Sequence, residues 1–279
     1  MVLGQLVLVK DTFVFHLCAN KNKYINKECY LFGNGYSLKY INLKKFNNVL
    51  SFTTGLNYLH RDFSYLNVVG DFHLHPGIFS PIWRQPYTKK LTIINKTRKF
   101  LINTNRIPKK HNFFTSIYNY PFIKKKENIF FLHNFKKNFI LDKINPSSEF
   151  SLMMGSLQAM IGVGVYMGFK KFIFVGMDYL SSKPKQGHFY EYGVRDNVVE
   201  IDSYVKQITT LTNFFKKKNN CKFNFLSLNG LQSSIYENIS YEQQFNTKEN
   251  YQENYQIIDP KVLKQLTNVE FEYFIYEKR

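Results

Sequence analysis

Cysteine is scarce in this chain, and the three present, Cys18, Cys29 and Cys221, make neither an even set nor a Cys-x-x-Cys pair. That excludes a disulfide framework and a zinc knuckle. Buried thiols in a reducing compartment are the simplest account. Proline is scarce too, at eight in 279 residues, which argues against a proline-rich linker. Acidic residues are in the minority, 20 against 38 Lys and Arg, for a net charge of +18. No Asp-x-Asp occurs. No secretory signal is visible, because the opening MVLGQLVLVKDTF lacks a basic start and meets Asp11 too early. The longest weakly polar stretch, residues 151–169, approaches the ~20 residues of a membrane span. It carries Ser151, Ser156, Gln158 and four glycines, and runs straight into a β-like segment. A buried helix feeding a sheet is the better reading. No repeat at a solenoid period is found.

What is abundant is hydrophobic and aromatic side chain, 44% and 18% of the chain. That is enough for the core of one large domain. The positive charge suits nucleic acid, an anionic membrane surface or a phosphorylated substrate. A competing account is composition: the chain is crowded with Lys, Asn, Ile, Phe and Tyr, the residues of AT-rich coding sequence.

Along the chain, residues 1–27 form an extension whose LVLVKDTFVFHL reads as two short strands or a hairpin. An apolar run at 29–32 stops at a glycine cluster and leads into a helical start at Ser37 and Leu38. Further strands are expected at 48–53, 65–70, 91–94, 128–134, 171–175 and 222–230. Helices are expected over 149–168, ending at Gly168, and over 197–218, which has one broad apolar face. LQSSIYENI, 231–239, reads as a short helix. Residues 76–127 are hard to read. The polar segment 180–197, with Gly187 and Gly193, fits a lid. The expected fold is α/β, Rossmann-like, a mostly parallel sheet with helices on both faces. Residues 28–240 are expected to form the α/β domain, with a lid at about 180–197, and 241–279 a C-terminal tail.

In such sheets ligands bind beyond the carboxyl ends of the strands, where strand order reverses. Four expected strand ends carry small or polar residues: Gly33-Asn34-Gly35, Gly70-Asp71, Gly176-Met177-Asp178 and Asn229-Gly230. Gly33-Asn34-Gly35-x-Ser37 suits a phosphate, since glycine lets backbone approach an anion and a following helix offers free N–H groups. It is not the dinucleotide fingerprint, because Leu38 stands where the third glycine belongs, and it is not a P-loop. A ligand-free tight turn remains an equal reading of the motif alone. Asp71-x-His73-x-His75 would place three candidate metal ligands on one strand face, but no fourth ligand is apparent and packing is the preferred account.

GNGYSLKYINL resembles the opening motif of the bacterial sialyltransferases of glycosyltransferase family 42: a strand, GNGPSL, then a helix. GSLQAMIGVGVYMGFKKFIFVGMDY at 155–179 is similar to that family's small-residue helix start, Gly-aromatic-Lys turn and strand ending in Gly-x-Asp-aromatic. HFY at 188–190 resembles the His-Tyr of its lid, and LSLNGLQ at 226–232 its late strand. The likeness spans roughly 28–240, at motif level. It is shared with the motility-accessory-factor-like proteins, which include nonulosonate transferases and a pterin diphosphokinase. Tyr36 departs from the usual Pro. Gly155-Ser156 only approximates the Ser-Gly turn, and Thr53-Thr54-Gly55 and Asp71 each replace an Asn.

The resemblance implies an inverting transfer of sialic acid, a related nonulosonate or Kdo from a CMP-sugar donor. The acceptor would be a glycan or lipid-linked. His188 is the implied base, with Tyr190 and Tyr192 donating to the leaving phosphate. The implied nucleotide-binding set is Gly33, Asn34, Gly35, Ser37, Thr54, Asp71, Gly155, Ser156, Gly176, Asp178, Asn229 and Gly230. No cofactor or metal is expected beyond the donor. Metal-dependent diphosphate-sugar enzymes carry an Asp-x-Asp, and a single phosphate can leave unaided. A cytoplasmic location, at the inner membrane face or free, is expected, with peripheral contact to anionic lipid and a homo-oligomer left open. The alternatives are a pterin or nucleotide diphosphokinase on the same scaffold, and a non-enzymatic polyanion or RNA binder, for which no RNA-binding signature is present.

Overall fold

A computed structural model describes residues 20–75, 79, 111–123, 127–132, 155–183, 187–190 and 202–260. The expected N-terminal strands or hairpin, the strand at 91–94, Tyr192 and most of the lid lie outside the described residues. Eight strands form one sheet: β1 (Glu28–Phe32), β2 (Leu50–Thr54), β3 (Asn67–His73), β4 (Asn112–Ser116), β5 (Ile129–Leu132), β6 (Lys171–Val175), β7 (Lys222–Ser227) and β8 (Glu237–Ser240). Their order is β5-β4-β3-β2-β1-β6-β7-β8, and every neighbouring pair is parallel. The chain builds outward from β1 to β5, returns to lay β6 against the other side of β1, and then builds outward again. Strand order therefore reverses between β1 and β6, and a crevice at their carboxyl ends is where such a sheet takes ligands.

The strands read as near-continuous apolar runs because both faces are covered, as parallel sheets require. One face carries a stripe of phenylalanines. Phe52–Phe72, Phe72–Phe114 and Phe114–Phe130 have ring centroids 5.0, 4.5 and 5.2 Å apart across β2 to β5. Gly70 makes room for it, since a Cβ there would press on Phe114 and Phe52 at 3.0–3.1 Å. Two helices cover this face, α1 (Ser156–Tyr166) and α2 (Asp202–Asn219). Gly164 of α1 lies so close to Phe172 of β6 that a side chain would collide. On the opposite face Tyr30 and Phe32 pack on Phe46, which also meets Phe245 of α3 (Tyr241–Phe245) at 4.3 Å. Helices on both faces agree with the sequence reading.

Two expectations are corrected. The β3 strand does not end at Gly70-Asp71 but runs on to His73, so Asp71 lies within the strand, bonded to Thr53 and His73, rather than capping an end. Residues 231–239 do not form a helix. A tight turn and bends lead into β8, where the Asn238 side chain accepts from Ser233 N–H and donates to Ser233 O, competing with helical pairing of that segment. The hard-to-read region contains β4, whose NFFTS is buried along nearly its whole length. Residues 155–166 do form a buried helix, and among the described residues no helix is long and apolar enough to cross a membrane.

The polar segment after β8 is ordered around α3 and a short helix, α4 (Asn254–Ile257). Tyr241, Ile257 and Ile258 are fully buried in the main core. The Gln252 amide donates to the Lys39 carbonyl at 2.8 Å, Arg61 N–H to Ile257 O at 2.8 Å, and Asp259 N–H to Leu59 O at 2.9 Å. This strap thus ties down the segments that follow β1 and β2.

Candidate active site

The switch point is built by backbone. Gly33 N–H donates to Val175 O and Gly35 N–H to Gly176 O, both at 2.8 Å, so the turns leaving β1 and β6 lie against each other. A Cβ on Gly33 would strike the Gly176 carbonyl, and one on Gly35 would lie 2.5 Å from Asp178. Gly176 itself has φ +63°, a left-handed geometry that glycine adopts without strain. The glycines are thus required first by the approach of two strands.

Asp178 locks this junction. One carboxylate oxygen accepts from the Ser37 N–H at 2.8 Å and the other from the Ser37 hydroxyl. The carboxylate is buried and satisfies a free N–H of the 3-10 turn Tyr36–Tyr40, where negative charge is favoured. Ser37 and Asp178, both sequence candidates, are therefore brought together, and they bond each other.

The segment after β6 returns over the β1 turn. His188 forms an isolated antiparallel bridge with Gly35, and Phe189 N–H donates to the Asn34 carbonyl at 3.0 Å. The His188 ring is half-buried and stacks on Tyr190, with centroids 5.0 Å apart and planes 8° from parallel. The Asn34 side chain reaches the other way, accepting from Leu56 N–H at 3.1 Å, and its amide fills the space above Gly55. Thr54 is next to that contact, with its hydroxyl bonded to Phe72 O at 2.7 Å. Glycine turn, β6 end, β2 end and His188 segment thus meet at one place.

Among the described residues, the structure does not bond the other candidates to this junction. Asp71 is tied to Thr53 Oγ1 at 2.8 Å and to His73 Nε2 at 2.7 Å, while His75 is exposed. Among the described residues no group of three His, Cys, Asp or Glu gathers to hold a metal. Gly155 precedes α1 and its N–H donates to Gln158 Oε1 at 2.8 Å. The Tyr204 hydroxyl packs against Gly155, so this helix start, with Ser156 as its first residue, is lined by a phenol. Burial raises that phenol to about 12, so it stays protonated at neutral pH. Asn229 and Gly230 form an exposed turn after β7, whose Asn229 N–H meets Glu249 of the strap at 2.5 Å. They lie on the carboxyl side of the sheet but make no bond to the β1–β6 junction.

Sequence reading missed several participants. Tyr204 and Tyr179 pack together at 5.5 Å, and the Tyr179 hydroxyl points to Met177 Sδ at 3.4 Å, joining the α1 start to the β6 end. Asn57 donates to Phe32 O and Thr54 O, at 3.2 and 2.7 Å, pinning the ends of β1 and β2. His60 is buried beneath Phe189, with ring centroids 5.7 Å apart, and its Nδ1 accepts from Asp62 N–H at 3.0 Å. Burial, with Arg61 nearby, lowers its pKa to about 3. Its single signal in the sequence was its place shortly after the Thr-Thr-Gly strand end.

No protein-family model matches the chain, and no curated protein matches it. Solved structures do. The sialyltransferase CstII from Campylobacter jejuni, in complex with the substrate analogue CMP-3FNeuAc, is 16% identical with a TM-score of 0.45, covering 86% of this chain and 99% of that one. The monofunctional α-2,3-sialyltransferase Cst-I from the same organism is 17% identical with a TM-score of 0.43, covering 87% and 94%. The Maf glycosyltransferase from Magnetospirillum magneticum AMB-1 is 10% identical with a TM-score of 0.45, covering 93% of this chain and 41% of that one. The fold assignment rests on the strand order described above.

Proposed function

We propose that this chain is a glycosyltransferase that moves a sugar from a CMP-sugar donor to a glycan or lipid-linked acceptor, with inversion and without a metal. The observation that carries the reading is the junction itself. The glycine turn of the GNGYSL motif, the Gly-Met-Asp end of β6 and His188 converge at the single point where strand order reverses. The family resemblance of those three motifs assigns them to donor binding and proton transfer.

In this reading the acceptor hydroxyl attacks the anomeric carbon as the bond to the phosphate oxygen breaks. CMP departs with the electron pair, and His188 takes the acceptor proton. The stacking of His188 on Tyr190 limits rotation of the imidazole, which favours a fixed direction for that proton. Tyr190 and Tyr192 donate hydroxyl hydrogen bonds to the phosphate as charge grows on it. Asp178 acts through Ser37, holding the turn that approaches the nucleotide. Metal independence is supported by the missing Asp-x-Asp, and a protein facing the cytoplasm by the sparse cysteine.

The test is CMP release from CMP-sialic acid and CMP-Kdo by the purified full chain, with and without EDTA. Release is expected in both conditions. His188→Ala should lower transfer by about 10²–10⁴-fold while CMP still raises the melting temperature. A protein neither stabilised by CMP nor able to release it from any donor refutes the proposal.

A further inference from the structure

Beside the junction lies a group of tyrosines that the donor reading leaves unused. Tyr36 directly follows Gly35, the residue bridged to His188. Its ring lies 6.1 Å from that of Tyr40, which lies 5.2 Å from that of Tyr251 on the strap. Tyr251 is 42% exposed, Tyr40 half-buried and Tyr36 buried at 9%. Exposure alone does not single them out, since Tyr65 and Tyr118 are exposed as well. Their place does: a row of three rings runs from Tyr36, buried at the turn that His188 bridges, through Tyr40 to Tyr251 in solvent.

The surface is held in shape. Asn250 N–H donates to Tyr40 O at 3.1 Å and Gln252 N–H to Lys39 O at 2.8 Å, so the strap is stitched to the 3-10 turn that bears Tyr36 and Tyr40. From within, the Lys39 ammonium sits 4.6 Å from the Tyr36 ring centroid. Burial pushes the Tyr36 phenol up to about 12, with Tyr251 and Tyr40 as hydrogen-bonding neighbours, so its hydroxyl remains a donor. Rigid tyrosines give contact area at small entropic cost and pair an apolar ring with a polar tip. A pyranose ring is complementary, with an apolar C–H face and a rim of hydroxyls. Charge narrows the class. Glu253 near Tyr36 and Glu249 near Tyr40 offset the Lys39 ammonium, and over 247–256 the single cation is Lys248, so the rings carry no net positive charge to hold an anion.

We propose that Tyr40 and Tyr251, with Tyr36 packed behind Tyr40, form an acceptor subsite on which a neutral pyranose stacks near His188, an assignment that rests on the glycosyltransferase reading. The strap then belongs to the active site rather than to a passive tail.

The test is saturation-transfer NMR on the full chain with lactose and cellobiose, using glucose 6-phosphate as the anionic probe and CMP-induced thermal shift alongside. The wild type is expected to bind the neutral disaccharides in preference to glucose 6-phosphate. Tyr251→Ala, at an exposed position, and Tyr40→Ala should each weaken disaccharide binding about two- to tenfold. Tyr251→Phe should retain it. A CMP response without disaccharide binding overturns the subsite alone. So does a fall in CMP affinity in the alanine variants with disaccharide binding intact, which would make the rings a base platform. Tighter binding of glucose 6-phosphate overturns the neutral class. Disaccharide binding in a protein that ignores CMP refutes the transferase reading and leaves a saccharide site standing.

Discussion

His60 offers a quantitative test of how the site is held. Its imidazole is buried beneath Phe189, between the His188 and Tyr190 positions of the returning segment. Its pKa of about 3 lies far below the ~6.5 of an exposed histidine. A lowered histidine pKa means that the unfolded chain takes up the proton first. The associated stability is therefore complete above about pH 6.5 and drains away as pH falls toward 3, at ~1.4 kcal/mol per pH unit. At pH 5 the loss is ~2 kcal/mol, a sizeable part of the ~5–15 kcal/mol that holds a typical domain. With a urea slope of about 2 kcal/mol per molar, the midpoint should fall by roughly 1 M between pH 7 and pH 5. His60→Asn places an amide in the same pocket and removes the titration. The variant starts less stable at pH 7, but its midpoint should stay nearly flat over the interval where the wild type declines. Paired urea titrations from pH 7.5 to 4.5 measure both slopes. Parallel decline of the two proteins would refute the assignment, because other groups would then be taking up the protons.

Two further predictions concern the junction. Gly35→Ala forces a methyl against the Asp178 carboxylate, so we expect a loss of stability of about 1–3 kcal/mol together with loss of the CMP-induced thermal shift, read in one melting experiment. Asp178→Asn and Ser37→Ala remove two ends of one charge-assisted pair. Each should cost about 1.5–3 kcal/mol in urea, and the double variant should cost clearly less than the sum.

Much of this architecture was legible in the residues. The β6 strand sits at 171–175 as read, because a helix C-cap glycine precedes a β-branched and aromatic run that ends at another glycine. The motifs of β1 and β6 were readable as partners only through family resemblance. Nothing in their spacing states that they touch, and the Gly33–Val175 bond is a tertiary fact. The β8 strand was misread since ENIS has no apolar periodicity and its strand geometry comes from pairing with β7. Gly70-Asp71 looked like a strand end because small and acidic residues usually mark one. Here the glycine yields space to two phenylalanines, and the aspartate is satisfied by Thr53 and His73. The strap was readable only as a linker or ordered tail. Its polar composition hides what holds it: a few apolar residues, Tyr241, Ile257 and Ile258, buried in the main core, and backbone hydrogen bonds that any sequence can make.

The reversal of strand order also sets a timetable for synthesis. The bond partners Ser37 and Asp178 are 141 residues apart, so the crevice does not exist until the chain has been extended through β6. At about 5–20 residues per second, a ribosome leaves β1 and its glycine turn without their neighbour for roughly 7–30 seconds. During that interval one flank of the first strand is an open edge beside a half-sheet rich in phenylalanine, a form prone to pairing with the wrong partner. Chaperone dependence, or poor yield of truncated forms that stop short of β6, follows from where the chain places its sixth strand.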